Sequence, residues 1–597
     1  MRAISQPDGA EAARPPLRVG TVKGPGDKPH EFVFITPDRD GATKNGEFVY
    51  YTLPGEQRRV IARITGRRTV RGYPDDFLAD PDVPPDLVAR VAGFEADECE
   101  LLEVCAAVIG YYDAALKTLV NPRIPPRVGW PIYLAPPEML VTVLNKKQRG
   151  ELGSCYLGWL LSRGPEEVPV VLSAREFTST HLAIIAGTGA GKSYTAGVIV
   201  EELLRPANKA CVLVLDPHGE YGTLDTLQNL PEFRDGVYQA RVKCLLPDDL
   251  KVRFSALKLN DIRYLLGDVP ERQDWLLGRA YNALVRETRD AVGSAERWTV
   301  KDLVAKIESL AHGSDESGLD LRSSAGALEW RLDRLTSESR IFSEVDHIRL
   351  AELLEPGQCT VLQLHDLTQR EQQVIAAVLL RRLYEARNQT LHKKTHPGDD
   401  LHLPYPVFCL LEEAHTFAPG GDAGGRVVSS QVLKQILGEG RKFGIGIGLI
   451  SQRPGKLDQD VLSQAMTQVI MRIVNPLDQQ AVAAAVESAS REVLDELPSL
   501  SKGHAIVLGA SLNAPALIQV RPRLTTHGGE DLDAPREWNA YFSEEALVRR
   551  NQERAGLVHR SGIGVGITRR EEWSEADERP YAELFGAPQP PDPADGA

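Results

Sequence analysis

Residues 181–204 read HLAIIAGTGAGKSYTAGVIVEELL. An apolar run of strand length, 182–186, leads into Gly187, Thr188, Gly189, Ala190, Gly191, Lys192 and Ser193, and Tyr194 continues into a stretch with helical spacing. Strand, glycine-rich turn and helix in that order build an anion cradle. The glycines let backbone N–H groups turn inward around phosphate oxygens, and the helix N-terminus adds its dipole. Lys192 can reach the β- and γ-phosphates, and the Ser193 hydroxyl can ligate Mg2+. Residues 187–194 are therefore the expected nucleotide-binding set, with ATP and Mg2+ as the expected cofactors. The strict spacing G-x-x-x-x-G-K-[ST] wants glycine where this chain has Ala186, a residue small enough to sit there.

Around this stretch, from about Val141 onward, apolar runs alternate with helical segments: CVLVLD, TVLQL, PVFCLLEE, GIGIGLIS, TQVIMRI, HAIVLGA and ALIQVRP. Continuous Val/Ile/Leu runs mark strands buried on both faces, hence an α/β core over 141–530 with a mostly parallel sheet covered by helices. Residues 248–350 break the alternation with charged, mostly helical sequence, expected to be an inserted helical subdomain. Upstream, 18–140 holds short apolar runs between turn signals (RVGTV, EFVFITP, EFVYYTL, RRVIARITG), a small antiparallel β unit. LLEVCAAVIGYY fits helix or strand by periodicity, and the proline-rich NPRIPPRVGWPIYLAPP fits loop or edge strand. Residues 1–17 read as a flexible tail and 74–85 as a Pro/Asp-rich excursion. Residues 531–597 read as a mostly irregular extension ending in disordered PQPPDPADGA.

A nucleotide hydrolase needs acids at the end of a second buried strand. Two strands offer them. One ends in Asp216-Pro217-His218-Gly219-Glu220-Tyr221, the other in Glu412-Glu413-Ala414-His415. The second fits better, because adjacent acids can divide the work: Glu412 holds Mg2+ through water and Glu413 polarises the attacking water. Glu412 stands where many such sites have Asp, one methylene shorter. Beside the next strand, Gly440-Arg441-Lys442-Phe443-Gly444 precedes and Ser451-Gln452-Arg453-Pro454 follows. Gln452 at a strand tip is placed to sense a γ-phosphate, and Arg441 at a domain edge to complete a neighbour's site.

The composition narrows the class. A chain of 597 residues, 42% hydrophobic and 25% charged, is not largely disordered. No apolar run approaches the ~18 residues of a membrane span, and the start MRAISQPDGAEAARPP lacks the apolar region of an export signal. The cytoplasm is the expected compartment. A net charge of −14 argues against a surface coated with nucleic acid or anionic lipid, yet permits a basic channel inside an acidic exterior. The seven cysteines, Cys99, Cys105, Cys155, Cys211, Cys244, Cys359 and Cys409, form no CxxC pair and are expected to be reduced, buried thiols.

The series AGTGAGKS, DPHGEY, LLEEAH, GRKFG and ISQRP, in this order and on these strands, resembles the HerA branch of the HerA–FtsK superfamily. The resemblance covers roughly residues 17–530 and departs at Ala186 and in the long insertion. It implies a RecA-like ATPase core behind an N-terminal HAS-type β-barrel, assembled as a homo-hexamer that draws duplex DNA through its central pore. It further implies Lys192 and Ser193 on nucleotide and Mg2+, Glu412 supporting the metal, Glu413 as catalytic carboxylate, Gln452 as sensor and Arg441 as a finger reaching the next subunit's ATP. Asp216 and Glu220 match a family motif but receive no role. The implied setting is the nucleoid, with a NurA-like nuclease in DNA end resection and repair, or another effector in phage defence. A ring ATPase for protein transfer and a nucleotide-gated scaffold remain as alternatives, the latter opposed by the Glu412-Glu413 pair. Arg426 and Lys456 are candidates for the DNA path, where ordinary surface charge is the commoner explanation. No motif for base-specific reading is present.

Overall fold

The N-terminal strands close on themselves. In this computed structural model β1 (Arg18–Pro25), β2 (Glu31–Thr36), β3 (Phe48–Thr52), β4 (Arg59–Arg71), β5 (Leu101–Asp113), β6 (Thr118–Val120) and β7 (Pro131–Leu134) run in the order β2-β1-β7-β3-β4-β5-β6. The β2–β5 pairing closes six of them into an antiparallel barrel. The structure describes residues 15–37, 41–54, 58–71, 82, 87, 101–113, 115–116, 118–290, 298–312, 321–421, 424–486, 491–526, 533–542 and 549–550. Nearly all of the expected N-terminal tail, the excursion at 74–85 apart from residue 82, Cys99 and the C-terminal end lie outside them. LLEVCAAVIGYY is strand: β5 pairs with β4 on one side and β2 on the other.

Alternation along the barrel strands explains how it is both filled and docked. Val49 and Tyr51 of β3 point inward, with Val60, Ala62, Ile64, Val104, Ala106 and Val108. Phe48 and Tyr50, on the opposite face of β3, join the core cluster of the following domain. At this junction Arg163 donates to both oxygens of buried Glu47 (2.8 and 3.0 Å) and to the Ala135 carbonyl (2.8 Å).

The second sheet has eleven strands. In chain order they are β8 (Ser154–Leu160), β9 (Pro169–Ser173), β10 (Leu182–Ile185), β11 (Val212–Asp216), β12 (Arg241–Leu245), β13 (Gln358–Gln363), β14 (Val407–Leu411), β15 (Ile445–Ser451), β16 (Thr467–Ile470), β17 (His504–Gly509) and β18 (Ala516–Val520). Their spatial order is β12-β13-β11-β14-β15-β10-β16-β17-β18-β8-β9. Strands β12 to β16 in that order are parallel, and the rest continue antiparallel.

The apolar runs are continuous because both faces are covered. Ala183, Ile185, Leu213 and Leu215 enter one core cluster, while Leu182, Ile184, Val212 and Val214 enter the other. Helix α1 (Lys192–Leu204) covers the second face. Helices α2 (Leu259–Leu266), α3 (Glu271–Asp290), α4 (Val300–His312) and α5 (Arg322–Glu338) lie between β12 and β13 in sequence. They bury Leu276, Leu277, Leu303, Ile307, Leu328 and Leu332 against the first face. Two long helices, α6 (Gln369–Leu391) and α7 (Val428–Phe443), complete that layer. Helix α6 starts at a capping box, in which Thr368 and Glu371 satisfy each other's backbone N–H.

The thiols need one correction. Among the described cysteines none is in a disulfide, but Cys244 is exposed and Cys105 half-buried, so the expectation of uniform burial does not hold. Cys244 sits on β12, the edge strand of the sheet. Residues 530–597 form a separate unit, whose helix Ala534–Tyr541 is capped by the Asp533 carboxylate accepting from Arg536 N–H (3.1 Å). No helix of the described residues is long and apolar enough to cross a membrane.

Candidate functional site

Parallel strands deliver their C-terminal ends to one edge of the sheet, and the crevice there is the usual place for a ligand. Here β10 ends in the glycine-rich turn, β15 in Ser451-Gln452, β14 in Glu412-Glu413 and β11 in Asp216. Because β15 separates β10 from β14, the turn and the two glutamates stand about 10 Å apart in strand spacing. The Lys192 side chain spans the gap.

The turn is held open by backbone geometry. Gly189 and Gly191 have φ of +74° and +108°, values that side-chain-bearing residues avoid. The turn is fixed at its ends, where Gly187 N–H donates to the Arg472 carbonyl (2.7 Å) and Gly503 N–H to the Ala190 carbonyl (3.2 Å). Among the described residues, nothing accepts a hydrogen bond from the backbone N–H of Thr188, Gly189, Gly191, Lys192 or Ser193. A set of inward donors at a helix start, with an ammonium beside it, matches the donor chemistry that a polyphosphate requires. Ala186 is fully buried and does not disturb the turn. The Tyr194 hydroxyl accepts from Arg523 N–H at 2.6 Å.

Lys192 is gathered in by acids. Its Nζ donates to Glu412 Oε1 and lies 3.3 Å from Glu413 Oε1, 3.9 Å from Glu220 Oε2 and 3.3 Å from Ser193 Oγ. Burial works against the ammonium, but Glu412 and Glu413 outweigh it and lift the Lys192 pKa to about 12. Glu412 is fully buried. Burial pushes its carboxyl up to about 7, against the pull of Lys192 and Tyr221. Adjacent Glu413 differs. Burial raises it too, but His415 and Lys192 prevail and hold it below the usual carboxylate range. Two neighbouring acids pushed apart in this way are suited to different tasks.

Glu413 also departs from regular backbone, with φ of +49° and ψ of +52°. For a residue with a Cβ this conformation costs about 1–2 kcal/mol. The kink ends β14 and starts the turn Ala414–Phe417, which brings His415 Nδ1 to 3.2 Å from Glu413 Oε2 and 3.3 Å from Ser451 Oγ. Gln452 Oε1 accepts from Thr188 Oγ1 at 3.1 Å, so the tip of β15 touches the glycine-rich turn directly. Lys192, Ser193, Glu412, Glu413 and Gln452 are thus brought together.

Arg441 is not among them. It is exposed in the last turn of α7, before β15 begins, about 20 Å of strand away from Gln452. Arg426 and Lys456 are both exposed, on loops that are joined by Gly420 N–H to the Lys456 carbonyl (2.8 Å) and Asp458 N–H to the Ala418 carbonyl (3.0 Å).

Asp216, left without a role by the sequence, faces backbone. Its Oδ1 accepts from the N–H of His218 (3.3 Å), Gly219 (2.8 Å) and Glu220 (3.2 Å), and Oδ2 from that of Tyr221 (3.0 Å). The turn so anchored carries Tyr221, whose hydroxyl donates to Glu412 Oε2. On α1, Glu201 is fully buried with Arg521 Nη2 at 2.9 Å, and accepts from Leu524 N–H (2.9 Å) and Thr525 N–H (2.8 Å). The sequence reading missed Tyr221, His415 and this cluster. Glu201-Glu202 inside an apolar helix was the available signal, since a buried acid demands a cationic partner.

The family described as "Helicase HerA, central domain" matches residues 155–383. The DNA double-strand break repair helicase HerA of Pyrococcus furiosus is 29% identical over 460 residues, covering 70% of this chain and 79% of its own. The protein of that name from Sulfolobus acidocaldarius is 27% identical over 511 residues, covering 83% of this chain and 93% of its own. An uncharacterized protein of Aquifex aeolicus is 33% identical over 218 residues, covering 32% and 77%. Among solved structures, VirB4 of Thermoanaerobacter pseudethanolicus aligns at a TM-score of 0.45 and 15% identity, over 63% of this chain and 97% of its own.

Proposed function

The chain belongs to the HerA helicase family, and we propose that it is an ATP hydrolase that drives double-stranded DNA through a ring of six copies of itself, in the service of DNA end resection and repair. The observation that carries this reading is the meeting of Lys192, Glu412, Glu413 and Gln452 at one strand edge beside a turn whose N–H groups at 188, 189 and 191–193 have no acceptor among the described residues. The backbone of residues 187–194 and the Lys192 ammonium hold the phosphates of ATP. Ser193 and Glu412 are the residues that hold Mg2+, whose chemistry when bound is to neutralise charge on the phosphate oxygens. Glu413, ionised and turned out of the strand line, orients and deprotonates the attacking water. Gln452, already in contact with Thr188, reports whether the terminal phosphate is in place.

Arg441, at the end of α7 and a strand's length from Gln452, is too far to serve its own site. Its exposure fits a role on the ATP of a neighbouring subunit, where an arginine adds about 10³–10⁵ in rate. The joined loops of Arg426 and Lys456 follow directly on Glu413 and Gln452, an arrangement suited to turning a phosphate-state change into movement against a DNA backbone. A NurA-like nuclease is the expected working partner, and the nucleoid in the cytoplasm the expected place. The reading is tested with Glu413→Gln, which should bind ATP as wild type does and lose turnover by at least about a hundredfold. Substantial residual hydrolysis would move the water-activating role to another acid, with Glu220, 3.9 Å from Lys192 Nζ, the candidate.

A further inference from the structure

We infer that Tyr221 is a positioning residue of the hydrolytic site, its phenol fixing the Glu412 carboxylate in the orientation from which that carboxylate meets Lys192. This rests on the reading of the site as a nucleotide hydrolase. Glu412 and Tyr221 are both fully buried. One oxygen of Glu412 is taken by Lys192 from the glycine-rich turn and the other by the Tyr221 hydroxyl, from an element 191 residues away. Two donors from two separate elements set the plane of a carboxylate, where one would leave it free to rotate.

The phenol needs a partner of its own. A buried hydroxyl costs stability unless it is hydrogen-bonded, and phenylalanine would fill the same apolar surroundings at no such cost. Its ring packs with Leu224, Leu227 and Phe233 in the core cluster on that face of the sheet. The turn that delivers it is held by four backbone N–H groups converging on Asp216. Asp216 thus sets the turn, the turn sets Tyr221, and Tyr221 sets Glu412. The DPHGEY segment thereby acts on the site through its last residue.

The test uses the full-length chain as wild type, Tyr221→Phe, Glu412→Gln and the double variant. Tyr221→Phe keeps the ring and removes only the hydroxyl. It should lower kcat for Mg2+-ATP about tenfold with KM changed less than about twofold, the effect of losing one hydrogen bond to a charged group. A second readout needs no turnover. The ratio of equilibrium ATP affinity with Mg2+ to that without should fall severalfold, while affinity without Mg2+ stays the same. Because Tyr221 acts through Glu412, adding Tyr221→Phe to Glu412→Gln should lower kcat by less than about twofold further. Wild-type kcat in Tyr221→Phe, a thermal-stability loss with kcat unchanged, or multiplicative effects in the double variant would each overturn the assignment alone. Absence of Mg2+-ATP hydrolysis by the wild-type chain would overturn the functional reading and the assignment with it.

Discussion

Asp216→Asn separates a turn-anchoring carboxylate from a metal-binding one. In the wild-type chain burial pushes the Asp216 carboxyl up while four backbone N–H groups draw it down. Asparagine retains one acceptor oxygen, enough for the three donors now on Oδ1. It turns an NH2 toward Tyr221 N–H, which now donates to Oδ2 at 3.0 Å. Losing that charge-assisted bond is worth about 1.5–3 kcal/mol, with about 1–3 kcal/mol more for an N–H left buried without an acceptor. The turn at 217–221 should therefore lose about 2.5–6 kcal/mol. A domain margin of about 5–15 kcal/mol would absorb this without global unfolding. The expected outcome is a lower urea midpoint and a lower kcat, with the Mg2+ concentration for half-maximal turnover raised no more than in Tyr221→Phe, since Asp216 acts on the site only through that residue. An unchanged urea midpoint together with a tenfold or greater rise in that Mg2+ requirement would refute the reasoning, because it would make Asp216 a metal ligand.

Three further outcomes are expected. Gly197→Ala should destabilise, although glycine inside a helix usually costs about 1 kcal/mol relative to alanine. A Cβ there would stand 2.8 Å from the buried Arg523 guanidinium, itself held by Thr525 Oγ1 at 2.6 Å, so the denaturation midpoint should fall and a rise would contradict the packing. His181 is held neutral inside the fold: burial lowers its pKa to about 4, and its ring bridges the Leu437 carbonyl (3.0 Å) and Ile447 N–H (3.1 Å). A depressed folded pKa gives stability that is whole above the ordinary 6.5 and lost as pH falls through 4. About 3 kcal/mol should disappear across that window, and His181→Asn should remove this part of the pH dependence in urea titrations. Arg441→Ala should give rings that bind ATP and hydrolyse it poorly, with activity returning on mixing with Lys192→Ala subunits; normal turnover by unmixed Arg441→Ala rings would exclude the finger role.

What could be read from the sequence follows from where each residue's partners lie. The glycine-rich turn and the strands ending in Glu412 and Ser451 were legible because doubly buried parallel strands carry unbroken apolar runs, with their punctuation adjacent in sequence. LLEVCAAVIGYY was ambiguous, since apolar residues at both periods permit either structure, and pairing with β2 and β4 decided it. β12, RVKCL, was overlooked because it is an edge strand: Arg241, Lys243 and Cys244 face solvent and break the apolar run. β8 and β9 extend the sheet beyond its parallel part and are short, with no helical crossover to announce them. The contacts of Tyr221 with Glu412 and of Arg521 with Glu201 span 191 and more than 300 residues, a pairing that only the assembled sheet supplies. The place of Arg441 followed from topology: a helix that returns antiparallel to the strands ends opposite their C-terminal edge.

On the proposed function, ATP hydrolysis at this site drives DNA movement. The most direct measurement is steady-state ATP turnover of the purified chain with and without linear duplex DNA, at low and high salt. The account predicts stimulation by DNA that fades as salt rises, because contacts to backbone phosphates release counterions. Turnover indifferent to DNA at both salt concentrations, with and without an added NurA-like nuclease, would contradict it.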